Sequence, residues 1–417
     1  MITVNRRPRQ VAARLRLAGA ILAVTVVAAA AVTGTVIASA DPTTPSETTP
    51  DTTTPPSTST TTTPSTTARS AAQSAGSVFA NRPIPGNGLL AGARSGNQFT
   101  YWSTGADGQP HLTTGSLYLP PGAAPRGGYP VVAWAHGSRG LADDCAPSVR
   151  PTDVDVDQLR TWLSRGYAVV STDYSGLGTP GTPQYYDLPT TAQNILDAVR
   201  ASSDISDELS KAWVAVGEGQ GASAAILLAR NATANQGPKL DFRGSAATSI
   251  PAELAALLGN LGPSTSNLPA GLETEALYTL AAIRTAHPTV GLDDYLTAAG
   301  RTWMTKATSL CAADLTRAVG GVSLGTLFSK ALSGNRELTT ILNSASELPT
   351  RGFTRPVLMS QTLQDPNVVV PVTLKYLNDA RVADRRVTAR TYLTPDAAQA
   401  QTMADNDIRG FVARVTK

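Results

Sequence analysis

The sequence predicts an α/β fold: a mostly parallel central sheet with helices on both faces and an inserted helical cap. Three observations carry this. Strand-like and helix-like segments alternate from about Ser77 to Thr248, the order that builds a covered parallel sheet. Val131 to Ala135 and Ala168 to Thr172 are uncharged and read as strands buried on both faces. From Pro251 to about Ser346 only helical signals occur, so that stretch is expected as a separate layer. At 417 residues and 41% apolar composition, the chain can bury a large core.

Residues 1–40 carry Arg6, Arg7, Arg9, Arg14 and Arg16 without an acid, then an apolar run from Leu17 to Ile37, then Ala38-Ser39-Ala40. That order predicts a secretory signal peptide cleaved after Ala40; an uncleaved N-terminal anchor is the alternative. The Arg6-Arg7 pair admits a twin-arginine route. Without these residues the basic side chains no longer outnumber the acidic ones, and no basic cluster interleaves with aromatics, so no nucleic-acid partner is expected. Residues 41–76 are dominated by Thr, Pro and Ser, which cannot bury apolar area. They are expected to form a disordered stalk, O-glycosylated or bare.

The folded part is expected over 77–250 and 347–417, with the cap at 251–346. Phe99 to Ser103 and Ser116 to Leu119 suit early strands. Val156, Leu159, Trp162 and Leu163 recur at helical spacing, as do Ala192, Ile195, Leu196 and Val199. A short strand follows near Ser245 to Thr248. Leu254 to Leu258 and Ala276 to Ile283 suit cap helices. Strands resume at Val357 to Ser360 and Val387 to Tyr392, with a closing helix toward Val412.

The most informative stretch is Gly217-Glu218-Gly219-Gln220-Gly221. It follows the strand Ala212 to Val216 and precedes a helix with small apolar residues at Ala222, Ala225, Ile226 and Ala229. That is the setting of a G-x-S-x-G nucleophile elbow, in which a sharp strand-to-helix turn lifts a central serine above the sheet. Here the centre is Gly219, which has no side chain. A serine mechanism also needs a histidine after its acid in chain order. The three histidines are His111, His136 and His287, and none follows the candidate acid Asp365.

Few other residues offer a replacement nucleophile or base. Glu218 could be a carboxylate nucleophile, but its neighbours two residues away, Val216 and Gln220, are too large for an elbow centred there. Ser223 lies within the expected helix, where its hydroxyl can bond a carbonyl one turn back. His287 falls in the cap and reads as structural. Cys145 and Cys311 are the only cysteines; in an exported chain they predict one disulfide, two buried thiols being the alternative. No His/Cys/Asp cluster has metal-ligand spacing, and no cofactor is expected.

Five motifs in this order resemble the secretory lipase family of α/β-hydrolases. They are Val131-Val132-Ala133-Trp134-Ala135-His136-Gly137, Asp144-Cys145-Ala146-Pro147-Ser148, Asp173-Tyr174-Ser175-Gly176-Leu177-Gly178, the elbow, and Gln361 to Val368 around Asp365. The resemblance covers roughly Ser77 to the C-terminus and implies an α/β-hydrolase core, ester or triacylglycerol substrates and a helical lid. By position it places the family's nucleophile on Gly219, its acid on Asp365, and its histidine near Asp396 or Ala397, where none exists. It places oxyanion donors at the His136-Gly137-Ser138 turn and at the backbone N–H of Gln220. The sequence is therefore expected to encode an exported, catalytically inactive hydrolase relative that binds a lipid or ester. An active lipase or carboxylesterase with a non-standard nucleophile, or a cell-envelope interaction protein, are the alternatives.

Overall fold

The computed structural model describes residues 73–185 and 187–417. The expected signal segment and all of the expected stalk up to residue 72 lie outside the described residues. Nine strands form one sheet: β1 (Val78–Pro83), β2 (Ser95–Thr104), β3 (Pro110–Leu119), β4 (Tyr129–Ala135), β5 (Ala168–Thr172), β6 (Leu209–Glu218), β7 (Asp241–Thr248), β8 (Val357–Thr362) and β9 (Val387–Tyr392). Their spatial order is β1-β2-β3-β5-β4-β6-β7-β8-β9. The pairings from β1 to β5 are antiparallel, and all those from β5 through β9 are parallel.

Alternation along the central strands decides which face each helix covers. On β4 and β6, Val131, Ala133, Ala135, Trp213 and Ala215 point to one face. There they pack against α2 (Leu188–Ile205), α3 (Gln220–Asn235) and α9 (Val370–Ala383). Val132, Trp134, Val214 and Val216 point to the other, under α1 (Asp153–Leu163) and α10 (Ala397–Val415), which supply Leu159, Trp162, Phe411 and Val412. Both faces are apolar because both are covered.

Between β7 and β8 the chain is helical: α4 (Leu254–Gly259), α5 (Ala270–Ala286), α6 (Ala298–Ala307), α7 (Ala312–Val319) and α8 (Arg336–Ser346). These helices share a second core that includes Leu277, Tyr278, Leu280, Met304, Leu315 and Leu338. The Cys145–Cys311 disulfide is formed, joining the loop after β4 to the start of α7 across a sequence separation of 166. Beside it, Gly140 bridges to Cys311 and the Ala312 N–H donates to the Arg139 carbonyl at 2.9 Å. No helix among the described residues is long and apolar enough to cross a membrane.

Three details differ from the sequence reading. β1 was not expected; five of its six residues are exposed, so the apolar alternation that marks a half-buried strand is missing. β2 and β3 are each ten residues long, because their antiparallel ladder extends past the apolar stretch. The folded part also begins slightly earlier than residue 77: the Gly76 N–H already donates to the Trp102 carbonyl at 2.7 Å.

Candidate functional site

β6 passes directly into α3 through Gly219, whose backbone sits at φ 54° and ψ −120°. That conformation is strained for any residue with a β-carbon. The flanking glycines are demanded by space. A β-carbon on Gly221 would lie 2.0 Å from the Ala135 carbonyl oxygen, and one on Gly217 would lie 2.3 Å from the Gly221 carbonyl oxygen. Gly219 is different: a β-carbon there would meet only the α-carbon of Gly137, at 3.6 Å. The turn has the tight crossing of an elbow and room for a side chain at its tip, where the chain supplies none. Ser223 is buried within α3, with its hydroxyl 3.4 Å from the Gly219 carbonyl one turn back.

Above the turn lies a cleft of about 250 Å³ between the sheet and the helices α5 and α7. Its floor is Gly137, Ser138, Glu218 and Gly219, and its roof includes Thr274, Glu275 and Thr316. Gln220 is the first residue of α3, so its N–H has no acceptor inside the helix. Ser249, on the rim, has φ 55°, a left-handed conformation unusual for serine.

The turn at His136 to Arg139 is held from below. Arg139 pairs with Asp155 through Nε at 2.9 Å and a terminal nitrogen at 2.6 Å. Asp155 also accepts from Trp134 Nε1 at 3.0 Å and closes a capping box with Thr152 at the start of α1. Although burial opposes its charge, Arg139 and these donors hold the Asp155 carboxyl well below the usual range. Glu218 receives only a 3.5 Å contact from the same guanidinium, and burial pushes its carboxyl up.

His136 is buried and stacks on Tyr174 with ring centroids 4.2 Å apart. Its Nδ1 lies 2.7 Å from the Gly137 carbonyl oxygen, and its Nε2 has no hydrogen-bond partner. Burial, with Arg139 nearby, lowers its pKa to about 4, so the ring is neutral. His111 lies beside Asp107 at the far end of β3, and His287 is exposed beyond α5. None of the three histidines lines the cleft over Gly219.

Asp365 follows β8. It accepts from Gln361 Nε2 at 3.0 Å and from the Asn367 N–H at 2.9 Å, and Asn367 lines the cleft. Asp396 and Ala397 are exposed; Asp396 caps α10 by accepting from the Gln399 N–H at 2.9 Å. Among the described residues, no group of three His, Cys, Asp or Glu side chains could hold a metal ion.

Arg139, Asp155, Glu275 and Thr316 were not expected at the site. The capping pair Thr152 and Asp155 was legible and marks the start of α1. Nothing local connects Asp155 to Arg139, or Glu275 on α5 to the turn at Ser138. Glu218 was read only as an unsuitable nucleophile, yet its carboxylate forms part of the cleft floor.

The family model described as secretory lipase matches residues 148–344, a span that contains the elbow and the helices between β7 and β8 except the last two residues of α8. This is a secretory lipase-type α/β-hydrolase fold. Lipase A from Candida antarctica in its closed state aligns with a TM-score of 0.66 and 17% identity over 83% of each chain. The rice cell wall degrading esterase LipA from Xanthomonas oryzae, in a ligand-bound form, aligns at 0.65 and 19% identity, over 82% of this chain and 97% of that one. A search of curated proteins finds no match. At these identities the structural likeness speaks for the lipase-type fold alone.

Proposed function

We propose that this chain is an exported, catalytically inactive member of the lipase-type fold that holds an ester or lipid-derived ligand in its cleft without cleaving it. The observation that carries the reading is Gly219: the turn that would present a nucleophile is built, and no side chain stands on it. The lack of any histidine in the cleft supports the same reading, since even a restored serine would have no base to take its proton. Donors remain where an ester carbonyl would be polarised, at the Ser138 turn and Gln220, so binding can outlast chemistry. Export is supported by the disulfide and by the match to a secretory family.

The test uses purified, exported protein. Turnover of a short-chain chromogenic ester at rates ordinary for esterases would overturn inactivity. Mass spectrometry of the native protein is expected to find a co-purified ester or lipid-derived molecule; a protein that is empty, binds none when offered and instead retains an envelope partner would favour an interaction role.

A further inference from the structure

At the end of the parallel strands opposite the elbow, three segments meet: the last turns of α3, the connection 349–356 that leads into β8, and the turn 384–386 that leads into β9. The Thr354 and Arg355 N–H groups donate to the Ala229 carbonyl at 2.9 and 3.2 Å, and those of Gly352 and Phe353 donate to Asp384 at 3.0 Å. The Val357 N–H donates to the Arg386 carbonyl at 3.0 Å, so β8 and β9 start side by side. These contacts gather Arg230, Arg351, Arg355, Arg385 and Arg386 at one corner, and Arg243, near the start of β7, joins them through Asp241.

Two carboxylates stand among these arginines, and both are engaged. Asp241 holds Arg243 at 2.7 Å and Arg355 at 3.4 Å, one guanidinium on each oxygen. Asp384 accepts the backbone N–H groups of Gly352, Phe353 and Arg386, and the Arg386 charge reaches it only through space. Arg230, Arg351, Arg385 and Arg386 are exposed and form no ion pair among the described residues. Composition does not account for the cluster: beyond residue 40 basic side chains no longer outnumber acidic ones, so charge is segregated to this corner.

We infer that the corner is a docking surface for an acidic polysaccharide, its free guanidiniums gripping carboxylates along the polymer while the cleft, at the far end of the strands, stays uncovered. A guanidinium meets a carboxylate as a planar fork, and Asp241 between Arg243 and Arg355 is an example built into the same corner. An apolar protein face would desolvate four cations without supplying a counter-charge. A bilayer contact needs apolar side chains to insert beside the cations, and of the large exposed apolar residues only Val382 adjoins these segments in the chain. Single-stranded nucleic acid needs aromatic platforms for its bases, and Phe353, the aromatic residue of the connection, is buried. Residues 74–77, through which the preceding chain joins the fold, lie beside the 237–240 connection into β7 at this same end. An envelope attachment through residues 1–72 would therefore present the corner to the envelope.

The experiment is biolayer interferometry of the whole exported protein over immobilised polygalacturonate. Neutral dextran, polyphosphate, single-stranded DNA and vesicles containing phosphatidylglycerol serve as comparators. Polygalacturonate is expected to bind most tightly, with affinity falling as salt rises. Arg385→Gln with Arg386→Gln, and Arg230→Gln with Arg351→Gln, should each weaken it about fivefold or more at unchanged Tm, since each pair removes two exposed charge contacts. Lys330→Gln with Arg336→Gln, which removes the same charge from the cap, should leave it unchanged. Asp241→Asn, which frees Arg243 and Arg355, should tighten it.

Equal or tighter binding of polyphosphate, DNA or the vesicles overturns the inference. So does failure to bind polygalacturonate at low salt, or corner pairs that bind no more weakly than the cap pair. Weaker binding by an Asp241→Asn protein of unchanged Tm overturns it as well. Ester turnover, and any ligand recovered from the cleft, bear on none of these outcomes.

Discussion

The α-carbon of Gly137 faces the vacant position on Gly219, 3.6 Å from where a β-carbon would stand. A serine therefore fits the space, and what opposes it is the backbone at φ 54°. Gly219→Ser is expected to fold and to lose on the order of 1–3 kcal/mol in denaturant unfolding, the strain that glycine relieves. It should gain little ester turnover.

Adding a histidine tests whether the rest of a triad can be rebuilt beside Asp365. Ala397→His is the better choice, because Asp396 caps α10 and its loss costs about 0.5–2 kcal/mol. Turnover of Gly219→Ser with Ala397→His should exceed the product of the two single effects. Turnover equal to either single variant would mean that these positions no longer converge.

The unaltered protein should not react with a fluorophosphonate probe. Loss of a serine or histidine from a working triad lowers turnover about two-million-fold, roughly 8–9 kcal/mol of barrier. Ser223 offers no substitute, being buried with its hydroxyl turned to the Gly219 carbonyl. Labelling mapped to Ser223 would contradict this.

Gly221→Ala should be far more damaging than a change at Gly219, since its methyl would meet the Ala135 carbonyl oxygen at 2.0 Å, inside van der Waals contact. Both partners are backbone, so relief requires the helix to leave the sheet. A loss of about 3 kcal/mol or more is expected; a change in Tm of a degree or less would be incompatible with the crossing described.

Two buried groups set opposing pH dependences. Asp173 accepts from Thr114, Ser148 Oγ and the Ser148 N–H, yet burial raises its pKa to about 6. A raised acid favours folding most below its unfolded pKa near 4, and that contribution fades as pH rises to about 6. His136, lowered to about 4, contributes fully above about 6.5 and loses that contribution as pH falls to 4. Each shift corresponds to something on the order of 3 kcal/mol, so they largely cancel between pH 4 and 6. Asp173→Asn should make stability climb with pH across this window, and His136→Gln should make it fall. Parallel curves for both variants would refute the assignment of opposite signs.

The fold was legible where burial leaves a pattern in consecutive residues. Val131 to Ala135 lies between two helical layers and therefore reads as an uncharged run. β1, exposed on nearly its whole length, is specified by its ladder with β2 and leaves no such trace. The elbow was legible because its flanking glycines, Gly217 and Gly221, are forced by close backbone contacts at the crossing of strand and helix. The cleft's charge was not, because Tyr185 and Glu275 lie 90 positions apart and meet only once the helices between β7 and β8 have packed.

The disulfide carries a final measurable consequence. In the chain-entropy picture, closing a loop of this length is worth about 5 kcal/mol, an upper figure. Its placement matters as much as its size: the Gly140 bridge, the Ala312 to Arg139 hydrogen bond and the sulfur link stitch the cleft floor to its roof. A cover tied covalently along that seam is expected to part from the floor less readily than one held by packing alone, and reduction of the sulfur link is expected to raise hydrogen exchange in α7 and in the loop after β4 ahead of global unfolding.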